Sequence, residues 1–256
     1  MSSIEFLRAD WAAPENVHAV VSLRQGGISV PPYNKLNLAE HVGDNPIAVA
    51  GNRDLLREAL RLDLGYQWLD QIHSADVVEI ESAKAKIKGD GLITMEPCIA
   101  CCVLTADCLP VMFANKEGSE VAVAHAGWRG MQAGILKNAI MSMNSDPADL
   151  MAWMGPAIGP CHYEVGGEVK DSFIANSSTK DEIDMIEDSF IESSVEGKFQ
   201  FDLYQLARRQ LLSLGVSQVS GGGYCTHCEE DKFYSFRRDG ETGRMASIIF
   251  FQDNDR

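Results

Sequence analysis

Hydrophobic and polar positions along the chain fall into short apolar blocks separated by turn-rich stretches. The block from His18 to Leu23 predicts a strand, after which VPPYNKLNLAEHVGDNP is too rich in Gly, Pro and Asn to be regular and reads as a binding loop. Asn45 before Pro46 is a helix start, and Val49, Leu56 and Leu60 recur at helical spacing, predicting a helix from Pro46 to Leu62 despite Gly51. WLDQIHSADVVEI predicts a short strand, a turn holding His73 and Ser74, and a second strand from Val77 to Ile80. Asp90-Gly91 marks a further turn. Ile99 to Leu104 and Leu109 to Phe113 are apolar runs of strand length interrupted by Thr105, Ala106, Asp107 and Cys108. Val121 to Ala124 then forms a strand that delivers His125, and an amphipathic helix follows from Met131 to Met143.

The second half repeats this alternation. A strand at Leu150 to Met154 runs into the irregular GPAIGPCHYEVGG, EVKDSFI looks helical, and KDEIDMIEDSF reads as an acidic surface segment. Asp202 to Leu214 is a second strong helix, with Leu203, Leu206, Ala207 and Leu211 on its apolar side. Gln218 to Ser220 is a short strand, and KFYSFRR-DGETG-RMASIIFF is expected to fold as a hairpin turning at Gly240 and Gly243. The pattern implies a mixed α/β protein whose sheet has both crossovers and a hairpin. No linker or repeat divides it, so residues 1–256 are expected to form a single catalytic domain.

Composition narrows the partners. With 22 Lys and Arg against 37 Asp and Glu, the formal charge is −15. That balance argues against nucleic acid, whose backbone is bound mainly by clustered cations, but leaves room for a small anion held by a few local donors. MSSIEFLRADW lacks the charged start and apolar run of a signal peptide, and no apolar stretch reaches about 18 residues, so cytoplasmic location without membrane insertion is expected. In that setting the seven cysteines are expected to be reduced, with Cys101 and Cys102 packing as small hydrophobes. Composition leaves the oligomeric state open.

The polar residues beside the apolar runs carry the candidate chemistry. His73, Cys108 and His125 suit Zn²⁺, which accepts two imidazoles and a thiolate while keeping a fourth position open. Their spacing alone leaves two other readings, ordinary buried roles and a Cys/His nucleophilic pair. Asp107 either orients an imidazole, moves a proton or makes an Asx turn. Arg129 and Arg24 are candidates for holding phosphate, and His41 and His162, both in loops, for touching substrate. Cys225-Thr226-His227-Cys228 invites a second metal site, yet no matching Cys-x-x-Cys follows it, so a plain loop is the expectation. RQGGIS, GPAIGPCHYEVGG and SGGGYC lack the context of a dinucleotide or triphosphate loop.

Taken together, SLRQGGIS, NLAEHVGDNP, QIHSADVV, TADCLPVMF, HAGWRG, GPAIGPCHYEVGGEV and FYSFRRDGETGRMASII resemble the YfiH laccase-domain family over residues 18 to 250. That family was formerly labelled polyphenol oxidase and later described as purine nucleoside phosphorylases with adenosine deaminase activity. The resemblance implies a layered α/β/β/α fold related to a cysteine-hydrolase superfamily, with His73, Cys108 and His125 as zinc ligands. It implies phosphorolysis of adenosine, inosine, guanosine or methylthioadenosine and deamination of adenosine by metal-activated water. In that reading Arg129 and Arg24 are expected to hold phosphate, and Asp107, Arg129 and Cys108 to stand in the catalytic centre. Cu²⁺ is an alternative occupant, since it binds such ligands more strongly than zinc. Six histidines without a His-x-His pair are few for a multicopper oxidase. A copper-dependent oxidase, a Cys/His hydrolase and a noncatalytic, metal-stabilised envelope-maintenance factor stand as alternatives. The chain departs from the commonest family pattern at His227-Cys228, where Tyr-Thr is frequent.

Overall fold

The structure is a computed structural model that describes residues 4–61 and 63–253. Its strands are β1 (Phe6–Arg8), β2 (Val17–Ser22), β3 (Gly65–Asp70), β4 (Val77–Glu79), β5 (Ile87–Lys88), β6 (Gly91–Thr94), β7 (Ile99–Thr105), β8 (Leu109–Asn115), β9 (Val121–Ala126), β10 (Leu150–Met154), β11 (Glu164–Gly166), β12 (Phe190–Glu192), β13 (Lys198–Phe201), β14 (Gln218–Gly221) and β15 (Met245–Phe251). Its helices are α1 (Pro46–Leu60), α2 (Trp128–Ala133), α3 (Ile135–Ser142), α4 (Gly167–Ala175), α5 (Lys180–Asp188), α6 (Leu203–Ser213) and α7 (Phe236–Asp239).

Two six-stranded mixed sheets, ordered β1-β2-β15-β7-β3-β5 and β14-β10-β8-β9-β6-β4, stack face to face, and a small sheet β11-β13-β12 lies apart. Period-two alternation explains the layers. In β7, Ile99, Cys101 and Val103 face the core between the sheets, whereas Ala100, Cys102 and Leu104 face the core that also holds Leu56 of α1. In β8 and β9, Met112, Ala114, Val121 and Val123 enter the inter-sheet core, and Val111, Phe113, Ala122 and Ala124 pack with residues of α3, α4, α5 and α6. The result is the expected α/β/β/α layering. Both faces of β7, β8 and β9 are buried, which is why these strands read as continuous apolar runs.

The elements follow the sequence expectations in outline, but the short strands β1, β5, β12 and β13 have no expected counterpart, β11 lies in the segment expected to be irregular, and longer elements differ as well. Asn45 caps α1 by accepting from the Ile47 N–H; the helix is assigned to Leu60, and Leu62, the expected end, lies outside the described residues. The helix expected at Met131 to Met143 is two, α2 and α3, because Gly134 between them adopts φ 93°. The acidic segment is itself a helix, α5, opened by a capping box between Thr179 and Glu182 and seated through Ile186. The C-terminal hairpin does not form. Phe233 and Tyr234 are buried in the inter-sheet core, Ser235 caps the short α7 by accepting from the Arg238 N–H, and β15 pairs instead with β2 and β7. Gly240 has the positive φ expected of it, but Gly243 serves another purpose: a Cβ there would stand 2.6 Å from the Tyr234 ring. Cys101 and Cys102 are fully buried, and burial pushes both thiols up, that of Cys101 to about 12. Among the described residues, no helix is long and apolar enough to cross a membrane.

Candidate active site

The segment TADC takes the chain from β7 in one sheet to β8 in the other, so Cys108 stands at the rim where the sheets meet. The turn is sharp, with Asp107 at φ 96°. His125 lies on the same side of β9 as Val121 and Val123 and therefore points between the sheets at that rim. His73 follows β3 in a turn at φ 60°. The side chain of Gln71 accepts from the Leu104 N–H and donates to the Leu104 carbonyl, extending the β3–β7 pairing into this turn.

These three placements bring the donor atoms of His73, Cys108 and His125 within 4.8 Å of one another. His73 Nε2 is 4.0 Å from Cys108 Sγ, and the two imidazoles meet edge to face with centroids 4.9 Å apart. Gly127 makes the approach feasible, since a Cβ there would lie 2.9 Å from Cys108 Sγ and 3.3 Å from His73 Cδ2. Two imidazoles and a thiolate, with room for a fourth ligand, fit a borderline-soft divalent cation such as zinc.

Asp90, which the sequence offered only as a turn residue, organises the group. Fully buried, its carboxylate receives the Nδ1 of His125 at 2.8 Å, the N–H groups of His73 and Ser74 at 3.0 and 2.6 Å, and the Ser74 hydroxyl at 2.9 Å. Holding Nδ1 leaves Nε2 of His125 as the free donor, the usual arrangement for a ligating imidazole. Burial works against the Asp90 carboxylate, but the bonds from His125 and Ser74 prevail and hold its pKa at about 2. Burial likewise opposes the Cys108 thiolate, yet His125 and His73 bring its pKa down to about 6. His125 rises to about 9 against its own burial, through the Cys108 thiolate and Asp90.

The three residues open onto a cavity of about 450 Å³ whose wall alternates guanidinium groups and aromatic rings. Arg129 lies 4.3 Å over Trp128, Arg237 5.2 Å over Tyr163 and Arg244 5.7 Å from Phe236. Arg129 and His41, two of the residues that sequence proposed for ligand contact, line this cavity. Burial, and after it the Arg244 charge, lower the pKa of His41.

The remaining expectations need correction. Asp107 lines the cavity, but its carboxylate accepts from the Thr226 hydroxyl at 2.6 Å and the Arg237 N–H at 2.7 Å; the imidazole is oriented by Asp90. Arg24 does not line this cavity. Its guanidinium donates to the carbonyls of Glu230 and Asn34 and covers the Tyr234 ring, tying loops together. Arg237 and Arg244 stand on the cavity instead, a role that nothing in their local sequence announced. His162 also misses the cavity lining: its Nδ1 lies 3.2 Å from Cys161 Sγ and 3.3 Å from Cys228 Sγ.

Known proteins share this architecture along its length. The family described as multi-copper polyphenol oxidoreductase laccase matches residues 18–252. A purine nucleoside phosphorylase of Pseudomonas aeruginosa is 44% identical over 97% of this chain and 99% of its own. The Escherichia coli purine nucleoside phosphorylase YfiH is 44% identical over 94% and 96%. Among solved structures, a Neisseria meningitidis protein superposes with a TM-score of 0.89 at 45% identity, covering 97% of this chain and 99% of its own. Bacillus licheniformis YfiH, titled a hypothetical protein, superposes at 0.85 with 34% identity, covering 92% and 93%. The chain therefore belongs to the multi-copper polyphenol oxidoreductase laccase family, together with relatives named purine nucleoside phosphorylase YfiH.

Proposed function

We propose that this protein is a zinc-dependent purine nucleoside phosphorylase acting on adenosine, inosine, guanosine or methylthioadenosine, with adenosine deamination in the same cavity. The observation that carries the reading is the convergence of a His/Cys/His donor set with a wall of arginines and aromatic rings on one nucleoside-sized cavity. The names of relatives 44% identical over nearly the whole chain point the same way. A family match unbroken from residue 18 to 252 supports one catalytic domain.

Each wall element answers a need of phosphorolysis. A phosphate dianion attacking the anomeric carbon needs its charge balanced and its oxygens aimed, and Arg129, Arg237 and Arg244 supply donors in forks suited to phosphate. The purine needs a flat apolar contact, which Tyr163, Phe236 and Trp128 offer. Zinc, when bound by His73, Cys108 and His125, supplies a Lewis acid. Asp90 fixes the His125 tautomer throughout. For deamination, His41 lines the cavity and its lowered pKa favours the neutral ring, which can accept and return a proton, a role open to Asp107 only if its two hydrogen bonds yield.

One observation favours a second reading. Cys108, His125 and Asp90 make successive contacts like those of a Cys/His hydrolase, with a thiolate, an imidazole and an orienting carboxylate. His73, at 4.0 Å from the same sulfur, has a task only in the metal reading. The oxidase reading ranks lower, because a laccase needs several copper centres and six histidines without a His-x-His pair are few for that, although a set of two imidazoles and one thiolate can itself hold copper. Incubating zinc-loaded protein with inosine and phosphate should yield hypoxanthine and ribose 1-phosphate, and with adenosine in labelled water, ammonia and labelled inosine. Absence of ribose 1-phosphate would remove the phosphorylase reading. Turnover that survives full chelation, with an acyl group trapped on Cys108, would establish the hydrolase.

A further inference from the structure

We propose that Cys161, His162, Cys225 and Cys228 form a second metal centre, a structural zinc site of three thiolates and one imidazole that staples together two loops behind the cavity wall. Sequence spacing argued against it, because the Cys225-x-x-Cys228 pair finds no second pair downstream. The fold supplies the partners from upstream: GPCHYE brings Cys161 and His162 against CTHC, and the four donor atoms lie within 4.8 Å of one another.

The distances match the chemistry. Zinc bonds of about 2.3 Å to sulfur and about 2.0 Å to nitrogen, arranged tetrahedrally, set sulfurs ~3.8 Å apart and sulfur from nitrogen ~3.5 Å. Cys161 Sγ is 3.6 Å from Cys228 Sγ and 3.9 Å from Cys225 Sγ, while His162 Nδ1 is 3.2 Å from Cys161 Sγ and 3.3 Å from Cys228 Sγ. Hydrogen bonding alone accounts poorly for this packing, since one ring nitrogen has a single proton or a single lone pair to share between two sulfurs. A disulfide would join only two sulfurs and leave a third thiol and the imidazole without a task. A cation at the centre satisfies all four at once. Neighbouring groups support the donors, three of which are exposed: the Gly159 N–H donates to Cys225 Sγ at 3.2 Å, and the His227 ring stacks on His162 with centroids 3.8 Å apart, fixing its plane.

The position gives the centre its role. Ala157 bridges Cys225, and the Thr226 N–H donates to the Ala157 carbonyl, so the same two loops already touch. One loop runs on into Tyr163 of the cavity wall, and the other holds Asp107 through Thr226. A metal joining them would secure both wall residues without touching substrate.

Metal analysis of the full chain purified with Zn²⁺ tests the proposal. About two zinc ions per chain are expected in the parent and about one in either Cys228→Ser or His73→Ala, with the double variant near none. His227→Ala, which removes the stacked ring but no donor, should keep both. Should Cys228→Ser fail to fold, alkylation of the parent protein gives the answer: stripping zinc should raise the labelling of Cys161, Cys225 and Cys228 together. A parent holding one zinc that His73→Ala abolishes, or a disulfide among these three cysteines in place of the second zinc, would overturn the proposal.

Discussion

Asp90 Oδ1 lies 2.8 Å from His125 Nδ1, and the same carboxylate takes the backbone N–H of His73, so one buried side chain positions two of the three residues of the candidate metal site. Asp90→Asn keeps the shape but loses the charge that makes His125 a better ligand. Zinc affinity should fall by roughly 10–100-fold, with activity falling alongside at limiting zinc. Competition against a chromophoric chelator measures it; unchanged affinity would show that the contact is only structural. Because the Asp90 pKa is depressed to about 2 from 3.8, its contribution to stability is complete above the ordinary value and is lost as pH falls from about 4 through about 2.

Gly127 is set by space rather than by backbone conformation, since it sits at φ −65° as the residue before α2. Gly127→Ala should therefore leave the fold close to parental while pushing a methyl group against Cys108 Sγ and His73. The expected outcome is selective loss of the metal bound at His73, with thermal unfolding of the metal-free protein shifted by only a few degrees, about 1 kcal/mol. A variant that binds zinc with parental affinity would contradict the crowding inferred at this site.

How much of this could be read from the chain depends on whether the interaction is local. His73, Cys108 and His125 were legible as candidates because each stands beside a strand end, where α/β sites gather, but as one ligand set only through the family resemblance, since positions so far apart in sequence share no local motif. Asp90 was not, because Asp-Gly has a sufficient local explanation as a turn; its partner is set by the pairing of Gly91 with Ala124, a relation between strands. Arg24 stands two residues before Gly26 and Arg244 directly after Gly243, and only the tertiary fold puts Arg244 on the cavity and Arg24 over Tyr234. The mixed α/β class was legible from the apolar pattern, whereas the α/β/β/α layering was expected only from the family resemblance, because which face of a doubly buried strand meets which layer is a tertiary relation. The false hairpin arose because Phe233 and Tyr234 look like strand residues whether they extend a sheet or anchor a loop in its core.

The thiol of Cys108 offers a pH test in the metal-free protein. Burial raises its pKa, but His125 and His73 outweigh this and bring it from 9.0 to about 6. Alkylation of the Cys108 peptide, followed by mass spectrometry, should therefore rise with a midpoint near pH 6 and be suppressed by added zinc. The sign for stability follows: the thiolate's contribution is complete above the ordinary value of 9.0 and is lost as pH falls through about 6. A midpoint near 9 would mean that the imidazoles do not act on this sulfur.

Phosphate recognition separates the arginine that sequence nominated from one that the fold supplies. Arg244 lines the cavity with its charge partly desolvated, and Nη1 donates to the carbonyls of Thr242 and Gly243. Those bonds fix the guanidinium while its other N–H groups stay free for an anion. Losing one charge-assisted contact of this kind costs about 1.5–3 kcal/mol, so Arg244→Met should raise the KM for phosphate roughly 10- to 100-fold while the KM for nucleoside changes far less. Arg244→Lys should recover only part of the loss, because an ammonium keeps the charge without the planar fork. Arg24→Met is the contrasting variant. Its guanidinium holds the Asn34 and Glu230 carbonyls away from the cavity, so the substitution should lower thermal stability and leave the KM for phosphate within about twofold. Steady-state kinetics with phosphate varied at saturating inosine decides between them, and a phosphate defect in Arg24→Met without one in Arg244→Met would reverse the assignment.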